Sequence, residues 1–327
     1  MRTALPLAAL VTTLSCALFA DPSLAAQRAR VFVASYGNDA NPCTFGSPCK
    51  TFQNAYSIVA VGGEVTAIDS AGFGPLLIEH SVTITSPEGV EAGIAVASGD
   101  AGITISAGST DTVVLRGLTI DGAGVGSNGI VVNSAGNLTV TNCTLQNFVG
   151  SPNTNGNGIL LQPTSGTLDF TITNTTASNN ANAGINYYPP SGSPNANGVI
   201  DHVIANGNVE GIGIQTTSAS GGTTVVTVSN SIASYNDSGT GIVVQNGSSA
   251  PVTASIDNVI ASSENTGVFA QGTANVLLGR SVITNNVTYG VLNLTSPNTF
   301  YTYGDNRINS NGTDIGGTTP LSSFSPQ

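Results

Sequence analysis

Gly211-Ile212-Gly213-Ile214 opens a segment that closes on Ile232-Ala233-Ser234-Tyr235-Asn236, and Gly241-Ile242 then starts it again. The same pairing of glycine with a β-branched residue stands at Gly129-Ile130, Gly158-Ile159, Gly184-Ile185, Gly267-Val268 and Gly290-Val291. The steps average about 27 residues, a period that belongs to stacked repeat architectures. In each unit a short strand follows the glycine and a polar loop of variable length intervenes. A second run then alternates Val, Ile and Thr, and an Asn-rich turn ends the unit. Such units bury an apolar face only by stacking. The expectation is an all-β, single-stranded right-handed parallel β-helix of about ten coils, roughly 45 to 50 Å long.

The turns, Ala177-Ser178-Asn179-Asn180, Ile204-Ala205-Asn206-Gly207-Asn208, Ile260-Ala261-Ser262-Ser263 and Ile283-Thr284-Asn285-Asn286, use a residue that tolerates left-handed backbone angles. Its amide can also pair with the coil above. Aligning them puts Leu145, Ala177, Ile204, Ile232, Ile260, Ile283 and Ile308 in one column, expected to point inward as an aliphatic ladder. Leucine-rich repeats are excluded because no fixed Leu positions or helical turns recur. The calcium-binding nonapeptide repeat fails because Asp121-Gly122-Ala123-Gly124-Val125-Gly126 occurs once, and no helix pattern follows these glycines to make a dinucleotide fingerprint.

Outside the repeats, Arg2, the apolar run from Ala4 to Ala20 and Ser23-Leu24-Ala25 make the pattern of a secretory signal peptide over residues 1–26. Cleavage is expected after Ala25, with Ala26 the alternative. Thr13 ahead of Cys16 does not fit a lipoprotein signal. Residues 27–63 read as an entry strand, a disulfide loop and a capping helix, residues 64–315 as the β-helix, and residues 316–327 as a tail. Phe52, Ala55, Tyr56 and Val59 share a helical face suited to covering the open end of the first coil. Cys43 and Cys49 lie in a turn-rich stretch suited to a disulfide outside the reducing cytosol, and Cys143 reads as a buried thiol.

The chain has 7 Lys and Arg against 18 Asp and Glu, and loss of Arg2 and Asp21 leaves the net charge at −11. Such a surface repels nucleic acid. It also repels anionic lipid and acidic polysaccharides not bridged by a divalent cation. No later segment reaches the roughly 18 apolar residues of a membrane span. The expected location is secreted, periplasmic or in the cell envelope.

Over nearly all of the mature chain the sequence resembles the pectate-lyase-like right-handed β-helix superfamily, and specifically its bacterial exported members to which no activity is assigned. Val31-Phe32-Val33-Ala34-Ser35-Tyr36-Gly37-Asn38-Asp39 with Pro42-Cys43 and Pro48-Cys49-Lys50-Thr51-Phe52 looks like their entry strand and capping helix. Tyr303-Gly304-Asp305-Asn306-Arg307-Ile308 looks like their last coil. Val199-Ile200-Asp201-His202 is similar to the strand of pectate lyases whose aspartate helps to bind calcium, but it lacks the Trp usual there. Asp201 and His202 are therefore candidate catalytic residues and Asp201 a candidate metal ligand. The family's downstream arginine motif is absent.

Aligned repeats place Asp201 in a column with Asn142, Asn174, Ser229, Asp257, Arg280 and Asp305. Asp257, Arg280 and Asp305 then form a charge ladder. It reads first as a cross-strand ion pair, with Arg280 as an alternative base or oxyanion stabiliser. The long loops at 162–166, 186–197 and 215–221 should stand side by side, with Tyr187 and Tyr188 in their midst to stack on sugar rings. The preferred function is an exported glycan-interacting protein with no identifiable catalytic machinery and no cofactor, whose expected partner is a polysaccharide. The alternatives are a calcium-dependent polysaccharide lyase centred on Asp201 and a structural or adhesive rod.

Overall fold

The computed structural model describes residues 28–150, 154–236, 239–247 and 249–324. The expected signal peptide lies outside the described residues. The chain winds as a right-handed parallel β-helix of about eleven turns with a single helix near its N-terminus. Three parallel sheets of 12, 10 and 10 strands run along it, here called sheets I, II and III in the order in which each coil visits them. In one coil, Thr167–Thr173 lies in sheet I, Thr176–Ser178 in sheet II and Ala183–Tyr187 in sheet III.

The glycine column is real and sits in sheet III, where Ile130, Ile159, Ile185, Ile212, Ile242, Val268 and Val291 pair in register and are buried. A Cβ at Gly184 would lie 2.8 Å from the carbonyl oxygen of Gly211 on the next coil, so the close approach requires glycine. The two corners flanking sheet II each hold one left-handed residue. Between sheets I and II these are Asn142, Asn174, His202, Asn230, Asn258 and Arg280; between II and III they are Asn147, Asn179, Tyr235, Ser263, Asn285 and Ser310, with Gly207. A buried amide ladder follows the second corner. Asn180 Nδ2 donates to Asn208 Oδ1 at 2.9 Å, Asn208 to Asn236 at 3.2 Å, Asn236 to Glu264 Oε1 at 3.0 Å, and Asn286 to Asn311 at 2.8 Å.

The expected aliphatic column needs correction. Leu145 pairs with Ala177, Ala177 with Ala205, Ala205 with Ala233 and Ala233 with Ala261, and Ala261 then pairs with Ile283. Ile204 and Ile260 point outward at 40% exposure each, with Ile232 in register between them. Side chains alternate along a strand, so a slip of one residue exchanges the two faces. Near the N-terminus the helix Phe52–Ile58 buries Phe52, Ala55 and Tyr56 as expected, and Cys43 and Cys49 form a disulfide. Gln53 Oε1 accepts the edge amide of Leu77 at 2.8 Å, and Tyr56 Oη accepts those of Glu79 and His80 at 2.7 and 3.0 Å. The helix thus satisfies donors at the end of sheet III that a bare first coil would expose. The expected tail contributes Ser322–Ser323 as a further strand of sheet I.

Candidate functional site

Asp201 and Asp257 both end strands of sheet I. Its register runs Thr173, Asp201, Ser229, Asp257 and Gly279, so these share one outward column. Asn142, Asn174 and Arg280 are not in it. They occupy the adjacent left-handed corner with His202, Asn230 and Asn258, because the last strand residue and the corner residue differ by one position. Asp201 and Arg280 are therefore three coils apart, roughly 14 Å at ~4.8 Å per coil, and the structure does not bring them together.

Asp201 is held by donors. Ser229 Oγ and Asn230 Nδ2 both donate to its Oδ1 at 2.7 Å, and His202 Nδ1 lies 2.6 Å from its Oδ2. The Ser229 hydroxyl above all, with His202 and Asn230, draws the carboxyl down to about 2. Calcium wants six to eight oxygen ligands, with carboxylates prominent among them. Asp201 offers one carboxylate already occupied by hydrogen-bond donors, and the described residues contain no group of three His, Cys, Asp or Glu able to hold a metal. These residues do not fit a directly coordinated calcium ion.

Arg280, by contrast, joins a real cluster. Its Nε donates to Asp257 Oδ1 at 2.9 Å and its Nη2 to Asp257 Oδ2, a bidentate pair. Its backbone amide donates to Asp305 Oδ1 at 3.0 Å. The guanidinium lowers the Asp257 carboxyl below its ordinary value, and Asp257 in turn raises that of Arg280. The Asp257–Arg280–Asp305 grouping thus stands, although the backbone rather than the side chain of Arg280 reaches Asp305. These groups line a groove of about 750 Å³ with Thr227, Ser255, Leu277, Gly279, Tyr303 and Phe324.

The last coil builds the aromatic wall. Where earlier corners use one left-handed residue, the segment Tyr303-Gly304-Asp305-Asn306 spans the gap between the strands Phe300–Thr302 and Arg307–Asn309. Asn306 ties it down, donating to Leu278 O at 3.0 Å and Thr302 Oγ1 at 2.9 Å and accepting from Ser281 N at 2.9 Å. Phe324 is fastened by its amide to Thr302 O at 2.9 Å. Its ring stacks on Tyr301 with centroids 4.4 Å apart and lies 6.4 Å from Tyr303. Tyr303 and Phe324 are 42% and 47% exposed. Sequence reasoning missed both as site residues; the signal available was Gly279, a residue without a side chain at an outward position of a column otherwise filled by Thr, Asp and Ser.

Tyr187 requires correction as part of a sugar platform. Tyr187 is 1% exposed, since the strand Ala183–Tyr187 turns Ile185 and Tyr187 inward together. Its ring lies nearly parallel to Phe170 at 6.2 Å, its hydroxyl accepts from Thr224 Oγ1 at 3.4 Å, and burial pushes the phenol pKa up. Phe170 in turn fills the space that Gly198, its register partner, leaves open. Tyr188 is half-buried, with its hydroxyl 3.3 Å from Ser218 Oγ. The loops do stand side by side, for Ser220 N donates to Gly192 O at 2.7 Å and Asn195 N to Gly166 O at 2.8 Å.

A second group went unread in the sequence. On the outward face of sheet III, Gln215 Nε2 donates to Glu210 Oε2 at 2.7 Å and lies 3.5 Å from Asn186 Oδ1, with Gly213 between them. Burial raises the Glu210 carboxyl pKa, opposed by the Gln215 bond. Glu210 stands directly before a column glycine, where the neighbouring coils have Ala183 and Thr240.

The family model described as right-handed β-helix region matches residues 50–226. Among solved structures, a rhamnogalacturonan lyase is similar at TM-score 0.59 and 11% identity, covering 80% of this chain and 75% of that one. A lacto-N-biosidase from Eubacterium ramulus gives 0.55 and 11%, covering 91% and 68%. The pectate lyase Pel9A gives 0.51 and 15%, covering 90% and 77%. Identities this low speak for the fold alone. No curated protein matches the chain in sequence.

Proposed function

Because the chain belongs to the right-handed β-helix family, and its fold is shared by proteins named for acting on carbohydrate, we propose that it is an exported glycan-binding protein acting at the cell envelope or outside the cell. Its contact surface is the groove around Arg280. The observation that carries this reading is the meeting, in one open groove, of the exposed rings of Tyr303 and Phe324 with the Asp257–Arg280–Asp305 cluster. Aromatic faces stack on the apolar side of a sugar, while charged donors and acceptors bind its hydroxyls. Binding is favoured over bond cleavage because Arg280 engages both oxygens of Asp257, which leaves that acid poorly placed to trade protons with a substrate.

The test is retention of the purified mature protein on a panel of immobilised polysaccharides. The double variant Tyr303→Ala, Phe324→Ala should lose at least about tenfold in affinity for whichever glycan retains the parent, or about 1.4 kcal/mol. Full retention by the double variant would overturn the assignment of the groove. Sequencing the N-terminus of protein recovered outside the cytoplasm tests export, with Ala26 the expected first residue.

A further inference from the structure

Gly279 occupies an outward position of sheet I, in register with Asp257, where a side chain would ordinarily project. A methyl group built on it would stand 3.3 Å from Asp257 Oδ1, 3.3 Å from Cδ2 of Tyr303 and 3.7 Å from Asp305 Oδ1. Two carboxylates and an aromatic ring, drawn from the coils on either side of Gly279, thus converge on one notch that a single Cβ would fill. The backbone at 279 is not left-handed, so the absence of a side chain there is not a demand of local geometry.

The chemistry around the notch is directional. Asp257 Oδ1 accepts from Arg280 Nε and Asp305 Oδ1 from the Arg280 amide, and each oxygen keeps a second lone pair for a further donor. Arg280 gives Nε and Nη2 to Asp257, and among the described residues Nη1 makes no hydrogen bond, so it remains a donor toward the groove. Two acceptors and one donor beside an aromatic ring match adjacent hydroxyls of a sugar. The three charges sum to −1 within a chain of net charge −11. The charge of the one cation in the cluster is already offset by Asp257, so a carboxylate entering the groove would meet net repulsion.

We infer that the notch at Gly279 selects neutral glycans presenting adjacent hydroxyls, and rejects polyuronates. This rests on the reading of the groove as a glycan site. Calorimetric titration of the mature protein with neutral oligosaccharides (xylan-, mannan-, glucan- and galactan-derived) and with galacturonate and mannuronate oligomers of equal length tests it. The expected result is binding of at least one neutral series, at least about tenfold tighter than any uronate, with or without calcium. Gly279→Ala should weaken that binding about tenfold with unchanged circular dichroism and melting temperature. Asp305→Asn, which keeps an acceptor for the Arg280 amide but loses the charge, should weaken it several-fold. Uronates bound as tightly as neutral chains, or unaltered affinity in both variants, would overturn the inference while leaving a glycan site in place. No binding by either series would overturn the glycan reading itself.

Discussion

Asn208 and Asn236 lie one coil apart and are fully enclosed, and the Asn208 side chain and backbone amides both donate to Asn236 Oδ1, at 3.2 and 2.9 Å. Asn236 repeats the pattern, donating Nδ2 to Ala205 O at 3.1 Å and to Glu264 Oε1 at 3.0 Å. Replacing it with Ala would strand several buried donors and acceptors at once. Each such group costs about 1 to 3 kcal/mol when left unmade. Asn236→Ala should therefore lower the urea midpoint strongly, whereas Asn285→Gly, at an exposed left-handed corner, should change it little. Equal shifts in the two variants would show that the ladder carries no special share of the stability.

The sheet II register makes a sharper claim about two neighbours. Ala205 is fully buried against Ala177 and Ala233, while Ile204 is 40% exposed. Ala205→Leu should destabilise by roughly 1 to 3 kcal/mol through overpacking. Ile204→Thr should stay within about 0.5 kcal/mol of the parent. The reverse order, read by chemical denaturation, would restore the isoleucines to the core.

Asp201 has a folded-state pKa of about 2, below the ordinary carboxylate value of about 3.9. A depressed folded pKa stabilises the native state above the unfolded value and loses that contribution as pH falls through the folded one. Stability should accordingly decline between about pH 4 and pH 2, with Asp201 contributing to the slope. In Asp201→Asn that part of the slope should disappear. An identical pH profile for the variant, followed by melting temperature, would count against the Ser229, Asn230 and His202 contacts as drawn.

Cys143 is buried, and the loss of solvent pushes its thiol up to about 11. Only the thiolate alkylates readily. Iodoacetamide at pH 8 should leave the native mature protein unmodified, and should add one label per chain in denaturant without reductant, since Cys43 and Cys49 are joined. Rapid labelling of the native protein would mean that this coil opens far more often than its packing implies.

The period of glycines was legible in the sequence because each column glycine meets the next coil's backbone, as Gly184 meets Gly211 O, and no other residue fits there. The side-by-side loops expected at 162–166, 186–197 and 215–221 were legible for a related reason, since stacked coils align their insertions, although strand pairing narrows the middle one to 188–194. What stayed hidden depended on a single residue of phase. Ile204-Ala205 offers two apolar candidates for one inward place, and the larger is the natural but wrong choice. Arg280 and Asp257 read as one column because the corner residue follows the strand end directly. Tyr187 looked like loop because the strand's last residue borders Tyr188-Pro189-Pro190. Phe324 lies far from Arg280 in sequence, and only the return of the chain to sheet I brings it into the groove.

The row of left-handed corners between sheets I and II behaves like a set of sockets cut to a fixed backbone and indifferent to what is plugged in. Asparagine fills most of them, yet His202 and Arg280 sit there with the same φ near 51°. A side chain with new chemistry can thus be mounted on the rod at increments of roughly 4.8 Å without disturbing the winding. Selection, or a protein engineer, can rewrite what this surface recognises one rung at a time while the scaffold keeps its shape.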